Sequence, residues 1–322
     1  MPIQDLDSAR HDALERWWDR LVVSLELADL TDPATRARLD AAAAKANNEG
    51  VHAAAAWRYA RALPMLTAAV EVWARLGHVP GEITARHLRG SVQRKIGDYA
   101  AAEDDHRVAL HLAVEHGWSA GEIVARGDLG AVAIEQGELG RAQALLQEAQ
   151  TLAQDTLNAG GQAQTQRYVG RLAEARKEWD AARRSYGAAL ELWQRLAAPV
   201  EGIETIADLA RVTLASGHTL EAYDLGEQVL EHLSQHGPAR LDEPLRVYWT
   251  LYRVLHVMQQ PENAREVLAV AYGEMQRQAD ELTGEQQDRF FHAVAVNRAI
   301  RAAWESENPD QVGPDRATRN PT

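Results

Sequence analysis

Residues 87–109 read HLRGSVQRKIGDYAAAEDDHRVA, with Leu88 and Gly90 on one helix, a Gly97-Asp98-Tyr99 turn, and Ala102 and Ala109 on one face of a second helix. Glycine at 97 can take the left-handed conformation that stops a helix, so the stretch is a helical hairpin. The same landmarks recur in both directions. Gly50, Gly90, Gly130, Gly170 and Ala210 stand 40 residues apart, and Tyr252 closes the series after 42. Twelve residues behind them come Ala62, Ala102, Ala142, Ala182, Ala222 and Ala264, and seven further Ala69, Ala109, Ala149, Ala189, Val229 and Ala271. A sustained period of this kind marks a solenoid of stacked hairpins. Small side chains at these points let neighbouring helices approach closely. The two extra residues of the last unit are assigned to the connection 236–244.

Each period reads as helix, tight turn, helix, looser turn. Gly97-Asp98, Gly137-Glu138 and Gly217-His218 are the tight turns, replaced by Lys177-Glu178 and Gln260-Pro261 in two units; residues 77–81, 117–121 and 158–161 are the looser ones. With roughly five turn residues per unit, each helix has about 17 residues and a length of about 25 Å.

Composition agrees with a helical body, because alanine, leucine, glutamate, glutamine and arginine dominate and only two phenylalanines occur in 322 residues. No apolar run has the length of a membrane span and residues 1–10 lack the order of a secretory signal, so a cytoplasmic location is expected. Absence of cysteine removes disulfides, thiol nucleophiles and thiolate metal sites. A net charge of −13 argues against general nucleic-acid binding, which needs a basic footprint.

With a small residue, a turn glycine, an aromatic and two alanines at these offsets, the pattern resembles the tetratricopeptide repeat family. The second unit carries it best, and the third (Leu129-Gly130, Gly137-Glu138, Ala142, Ala149) and fourth (Gly170, Trp179, Ala182, Tyr186, Ala189) follow. The resemblance spans roughly residues 39–277 and looks like the extended, 40-residue subclass of adaptors and bacterial regulators. It implies an all-α fold: a right-handed α-solenoid of about six hairpins between capping helices, acting in protein-protein interaction or signal transduction. Residues 289–300 also look like the closing helix in tetratricopeptide tails of MalT-like regulators and bacterial signal-transduction ATPases.

The expected organisation is a capping helix in 1–31, with Leu14, Trp17, Trp18, Leu21 and Leu25 on one face, six repeats in 32–282, a closing helix in 283–306 and a disordered tail in 307–322. Thr283-Gly-Glu-Gln286 has the spacing of a capping box before that closing helix.

Function is sought on the inner stripe, which the resemblance assigns to five positions of each first helix. These positions carry Arg94, Lys95, Arg167, Arg171, Arg211, Arg246 and Arg253 against Glu135, Glu174 and Glu204. Arg171, Arg211 and Arg253 share one register position in successive repeats, a ladder suited to carboxylates or phosphates. Trp249 and His256 would add an apolar wall and a polar partner. The alternative is that each arginine bonds a neighbouring glutamate such as Glu174 or Glu204, or is solvated.

The expected function is therefore a non-catalytic scaffold or adaptor whose groove binds an acidic or carboxylate-bearing peptide, with no cofactor. The alternative is a sensory module that binds a small effector or signalling peptide and relays a change of curvature to a transcription factor or ATPase. No phosphate loop, nucleophile elbow or dinucleotide fingerprint occurs. His232 and His236 share a helical face, but end a helix where histidine is favoured by the dipole, so no metal site is assigned. Trp73, Trp193, Tyr59, Tyr99 and Trp179 are read as packing residues.

Overall fold

The computed structural model describes residues 29–239 and 241–309. Among these are fourteen helices and no strand, and no helix is long and apolar enough to cross a membrane. They are α1 (Pro33–Ala55), α2 (Tyr59–Leu76), α3 (Val79–Lys95), α4 (Tyr99–Glu115), α5 (Ser119–Glu135), α6 (Leu139–Asp155), α7 (Ala159–Ala175), α8 (Trp179–Arg195), α9 (Pro199–Ala215), α10 (Thr219–His236), α11 (Pro244–Val257), α12 (Pro261–Asp280), α13 (Gly284–His292) and α14 (Ala295–Glu307). Most of the expected N-terminal cap and of the tail lies outside the described residues.

Seven consecutive helices, α3 to α9, are 17 residues long, and the backbone period is half the sequence period. A residue with positive φ stands at 57, 77, 97, 117, 137, 157, 177, 197, 217 and 237. The looser turns are thus as short as the tight ones, and residues 79–81, 119–121 and 159–161 are already the first turns of α3, α5 and α7. Side chains cap several of these starts: Asn158 Oδ1 accepts from Gly161 N–H at 2.9 Å and His78 Nδ1 from Gly81 N–H at 3.1 Å.

The 40-residue beat lives in packing. A Cβ at Gly50, Gly90, Gly130 or Gly170 would lie 2.7 Å from the side chain of Leu66, His106, Leu146 or Tyr186, each 16 residues later on the facing helix. The first helix must therefore be bare where the second is bulky. The six alanines from Ala62 to Ala264 are at most 1% exposed, which sets how closely the hairpins stack. Odd-numbered helices form the inner wall: α1 packs beside α3, α3 beside α5, α5 beside α7, and α9 beside α11. Helices α7 and α9 stand further apart, and long ion-paired side chains bridge them.

An open stack needs no central core, yet here the largest hydrophobic cluster joins residues remote in sequence. Ala53, Trp57 and Tyr59 pack in one cluster with Val247, Tyr248, Leu282 and Phe290. Trp57 Nε1–H donates to Leu241 O at 2.8 Å, Tyr99 Oη–H to Ala293 O at 3.3 Å, and Arg58 pairs with Glu281 at 3.1 Å. The solenoid thus closes on itself, its first two hairpins meeting its C-terminal helices. Residues 283–307 form two helices, not one. They bend at Ala293-Val294, where Asn297 Nδ2 donates to Phe290 O at 2.9 Å. The capping box is present at the start of α13, with Thr283 N–H donating to Gln286 Oε1 at 3.0 Å.

Candidate functional site

Four inner helices and one connection enclose the centre of the ring. On α7, Arg167 donates to Asp208 Oδ2 at 2.7 Å and to Glu204 Oε2 at 2.9 Å, both on α9. Arg211 of α9 reaches back to Glu174 at 2.6 and 2.7 Å, to Asp208 at 2.7 Å and across to Thr250 Oγ1 at 3.2 Å. Arg246 of α11 shares Glu174 and Asp208 at 3.3 and 3.4 Å. Arg171 is bound in a fork by Glu243, and Arg94 of α3 bonds the same carboxylate at 2.9 Å.

Arg94, Arg167, Arg171, Arg211, Glu204 and Asp208 are buried and Glu174, Glu243 and Arg246 half-buried, so charge must be matched locally. Burial opposes ionisation of Glu174, Asp208 and Glu243, but the guanidinium groups around them outweigh it. Glu174 is held down at about 2, and Asp208 and Glu243 lie below their ordinary values. Arg94, Arg167, Arg171 and Arg211 are correspondingly raised by their carboxylates against the cost of burial. Glu204 is the exception: burial raises it, and Asp242 and Glu243 add to this against the pull of Arg167.

The expected ladder is thus present in part and already paired. Arg171 and Arg211 sit in the network, and Arg253 does not. It is half-buried on α11, forms no ion pair with a described residue, and Arg246 occupies the place beside Arg211. Trp249 stacks on Tyr252 with ring centroids 5.2 Å apart, and the exposed His256 lies 5.7 Å from the same ring, away from the network. Lys95 is ion-paired with Asp242. Asp208, Asp242 and Glu243 were missed as site residues because they lie outside the five stripe positions, and two belong to a connection whose inward path no periodicity reveals.

That connection is the central feature. Residues 241–243 turn into the ring: Leu241 is 2% exposed against Trp57, Asp242 meets Lys95, and Glu243 lies between Arg94 and Arg171. Glu243 N–H donates to Glu204 Oε1 at 2.8 Å, and Glu243 stands at the N-terminal boundary of α11, where negative charge is favoured, without a side-chain capping bond.

On one side of this segment opens a cavity of about 560 Å³, lined by α1, α3, α5, α7 and by Leu241 and Asp242. Its wall is largely apolar and includes two exposed valines, Val51 and Val124, with Arg94, Lys95, Asp128 and Asp242 as charged groups. On the other side a space of about 70 Å³ is lined by Tyr59, Tyr99, Phe290, Glu243 and, once more, Asp242.

A second cluster borders the larger cavity. His87 Nδ1 and Asp128 Oδ2 are 2.6 Å apart, and Tyr168 Oη–H donates to Asp128 Oδ1 at 3.0 Å. Burial works against a charge on His87, but the Asp128 carboxylate raises its pKa overall. His106, wholly buried on Gly90 with both ring nitrogens unbonded, is pushed down to about 4 by burial, against the nearby Asp128. The three ligand-type atoms lie within 4.8 Å of one another. Both Asp128 oxygens are engaged, so a cation there would have to displace the His87 contact. His232 and His236 pack edge to face at 4.7 Å.

No family model matches this sequence, and no curated protein matches it. Solved structures do. The Rap conjugation gene regulator of the plasmid pLS20 in complex with the Phr* peptide aligns with a TM-score of 0.62 at 15% identity, over 84% of this chain and 76% of that one. A Rap protein complexed with competence and sporulation factor aligns at 0.57 and 11% identity, over 81% and 75%. BtubC from P. vanneervenii aligns at 0.53 and 16%, over 82% and 96%. The likeness of residues 289–300 to MalT-like tails rests on sequence alone. What the chain shares with these solved structures is the fold, a tetratricopeptide-like solenoid of helical hairpins.

Proposed function

We propose that this chain is a non-catalytic scaffold that captures a short peptide in the 560 Å³ cavity at the centre of its ring. The observation that carries the reading is the wall itself. Exposed Val51 and Val124 supply apolar surface, while Arg94 and Lys95, paired in this structure with Glu243 and Asp242, stand at one edge where a peptide carboxylate can take the place of those partners. The size lies within the range of ordinary ligand sites. One of the similar solved structures holds the Phr* peptide and another competence and sporulation factor; the first supports a peptide as occupant.

Closure of the ring favours a regulatory use of the same site. Contacts such as Trp57 with Leu241 join the two ends, so an occupant beside Leu241 can change how firmly they are held. Selection from a displayed library of random short peptides tests the reading. Val124→Arg, which places a charge in the apolar wall from an exposed position, should reduce capture by at least about tenfold with the helical signal and melting midpoint unchanged. Undiminished capture by Val124→Arg would overturn the cavity as the site.

A further inference from the structure

The arginines expected to receive an acidic partner already hold one, and it comes from the same chain. Leu241, Asp242 and Glu243 follow one another as an apolar side chain and two carboxylates, seated respectively against Trp57, on Lys95, and between Arg94 and Arg171. The connection that carries them holds the two residues by which the last repeat exceeds its predecessors. An insertion in a solenoid ordinarily lies outside the stack. This one turns Leu241 and Glu243 inward, leaves Asp242 more than half exposed on Lys95, and forms a partition, because Asp242 lines both the 560 Å³ and the 70 Å³ spaces. Arg94 and Lys95, which hold it, also line both.

We propose that residues 241–243 are a built-in occupant of the peptide site, and that its external ligand is a peptide carrying an apolar residue followed by two adjacent carboxylates. This rests on the cavity reading above and names the partner chemistry and the regulation of that site. Exchange of one carboxylate pair for another leaves Arg94, Arg171 and Lys95 matched, so it avoids the cost of uncovering buried cations. The internal segment has the advantage of tethering, equivalent to an effective concentration of the order of millimolar. An external peptide overcomes this through contacts the short segment does not make, along the wall that exposes Val51 and Val124.

Displacement has a structural consequence. Bonds from Trp57 to Leu241, Lys95 to Asp242 and Arg94 to Glu243 tie the first hairpins to the start of α11. All are lost together when the segment leaves, so peptide capture and loosening of the ring are one event.

The test compares the wild-type chain with Asp242→Asn/Glu243→Gln, which keeps the shape of the segment and removes its charge. The probe is a fluorescent peptide of sequence Leu-Asp-Glu-Pro-Leu with blocked ends, read by anisotropy. The variant should bind it at least about tenfold more tightly than wild type, and the Leu-Asn-Gln-Pro-Leu peptide should gain nothing. Equal affinity of the two proteins, or indifference to peptide charge, would overturn the proposal.

Should the variant not fold, hydrogen exchange on the wild type decides. Unlabelled Leu-Asp-Glu-Pro-Leu, raised above the roughly millimolar effective concentration of the tethered segment, should accelerate exchange at Leu241 and Glu243 N–H, and unchanged protection there would refute displacement. The two readings fail separately. Loss of library peptides in Val124→Arg with no effect of neutralising the segment leaves the cavity standing and removes the internal occupant. Retained library binding in Val124→Arg removes the cavity reading itself.

Discussion

Asp208 shows how far a single side chain can alter the meaning of its neighbours. From the sequence, Arg167, Arg211 and Arg246 form part of a positive stripe; in the structure this one buried carboxylate accepts from all three. Reversing Arg171 and Arg211 would therefore disrupt folding before it reported on a partner. Asp208→Asn should cost about 3–5 kcal/mol, because it leaves buried guanidinium groups short of a counter-charge, and urea titration measures this. The carboxylates were legible as residues, but their inward placement depends on α7 and α9 lying far enough apart for ion pairs to span them.

His106 makes a pH prediction at the same scale. Its pKa lies at about 4 in the fold against an ordinary 6.5, so between these values the unfolded chain takes up a proton that the folded one refuses. Stability attributable to His106 is complete above pH 6.5 and falls as pH drops towards 4, by about 3 kcal/mol. Urea melts of His106→Leu should lack that loss, and an identical pH profile in the two proteins would contradict it. His87, whose pKa is raised, acts in the opposite direction in both proteins.

At the scale of the helix, the left-handed turn residues show where backbone geometry outruns local preference. Gly77, Gly97, Gly117, Gly137, Gly217 and Gly237 suit the position, but Leu157, Lys177 and Ala197 occupy it with φ of 53°, 61° and 51°. Each such residue carries a steric cost of about 1–2 kcal/mol, partly offset by the lower chain entropy of a non-glycine residue. Leu157 is also 84% exposed, so nothing packs to compensate. Leu157→Gly should raise stability by about 0.5–1 kcal/mol, checked by thermal and urea denaturation. The turn glycines are readable from sequence as breaks and repeat register places Lys177-Glu178 at a tight turn, whereas the equally tight turn at Leu157 reads as part of a looser 158–161 connection and that at Ala197 carries no local signal, since the strain is imposed by stacking of the helices on either side.

At the scale of the whole molecule, the closed ring explains why the principal core lies where the ends meet. Trp57 contributes both apolar packing and its bond to Leu241 O. Trp57→Ala should destabilise the chain by about 3–5 kcal/mol, and at temperatures where it remains helical its radius of gyration in solution scattering should exceed that of wild type. An unchanged radius would show that the remaining contacts suffice for closure.

The sequence by itself determined the hairpin, its period and the stack, because a small residue facing a bulky one 16 places later is a local constraint repeated along the chain. It also picked out Arg94, Lys95, Arg167, Arg171, Arg211 and Arg246, which the structure ion-pairs in the interior, but set Arg253 beside them, which stands apart. Only the tertiary structure decided that the stack closes, that the insertion turns inward and that Glu243 reaches Arg94 and Arg171. Those contacts join residues up to about two hundred positions apart. They depend on accumulated curvature, which no single repeat encodes.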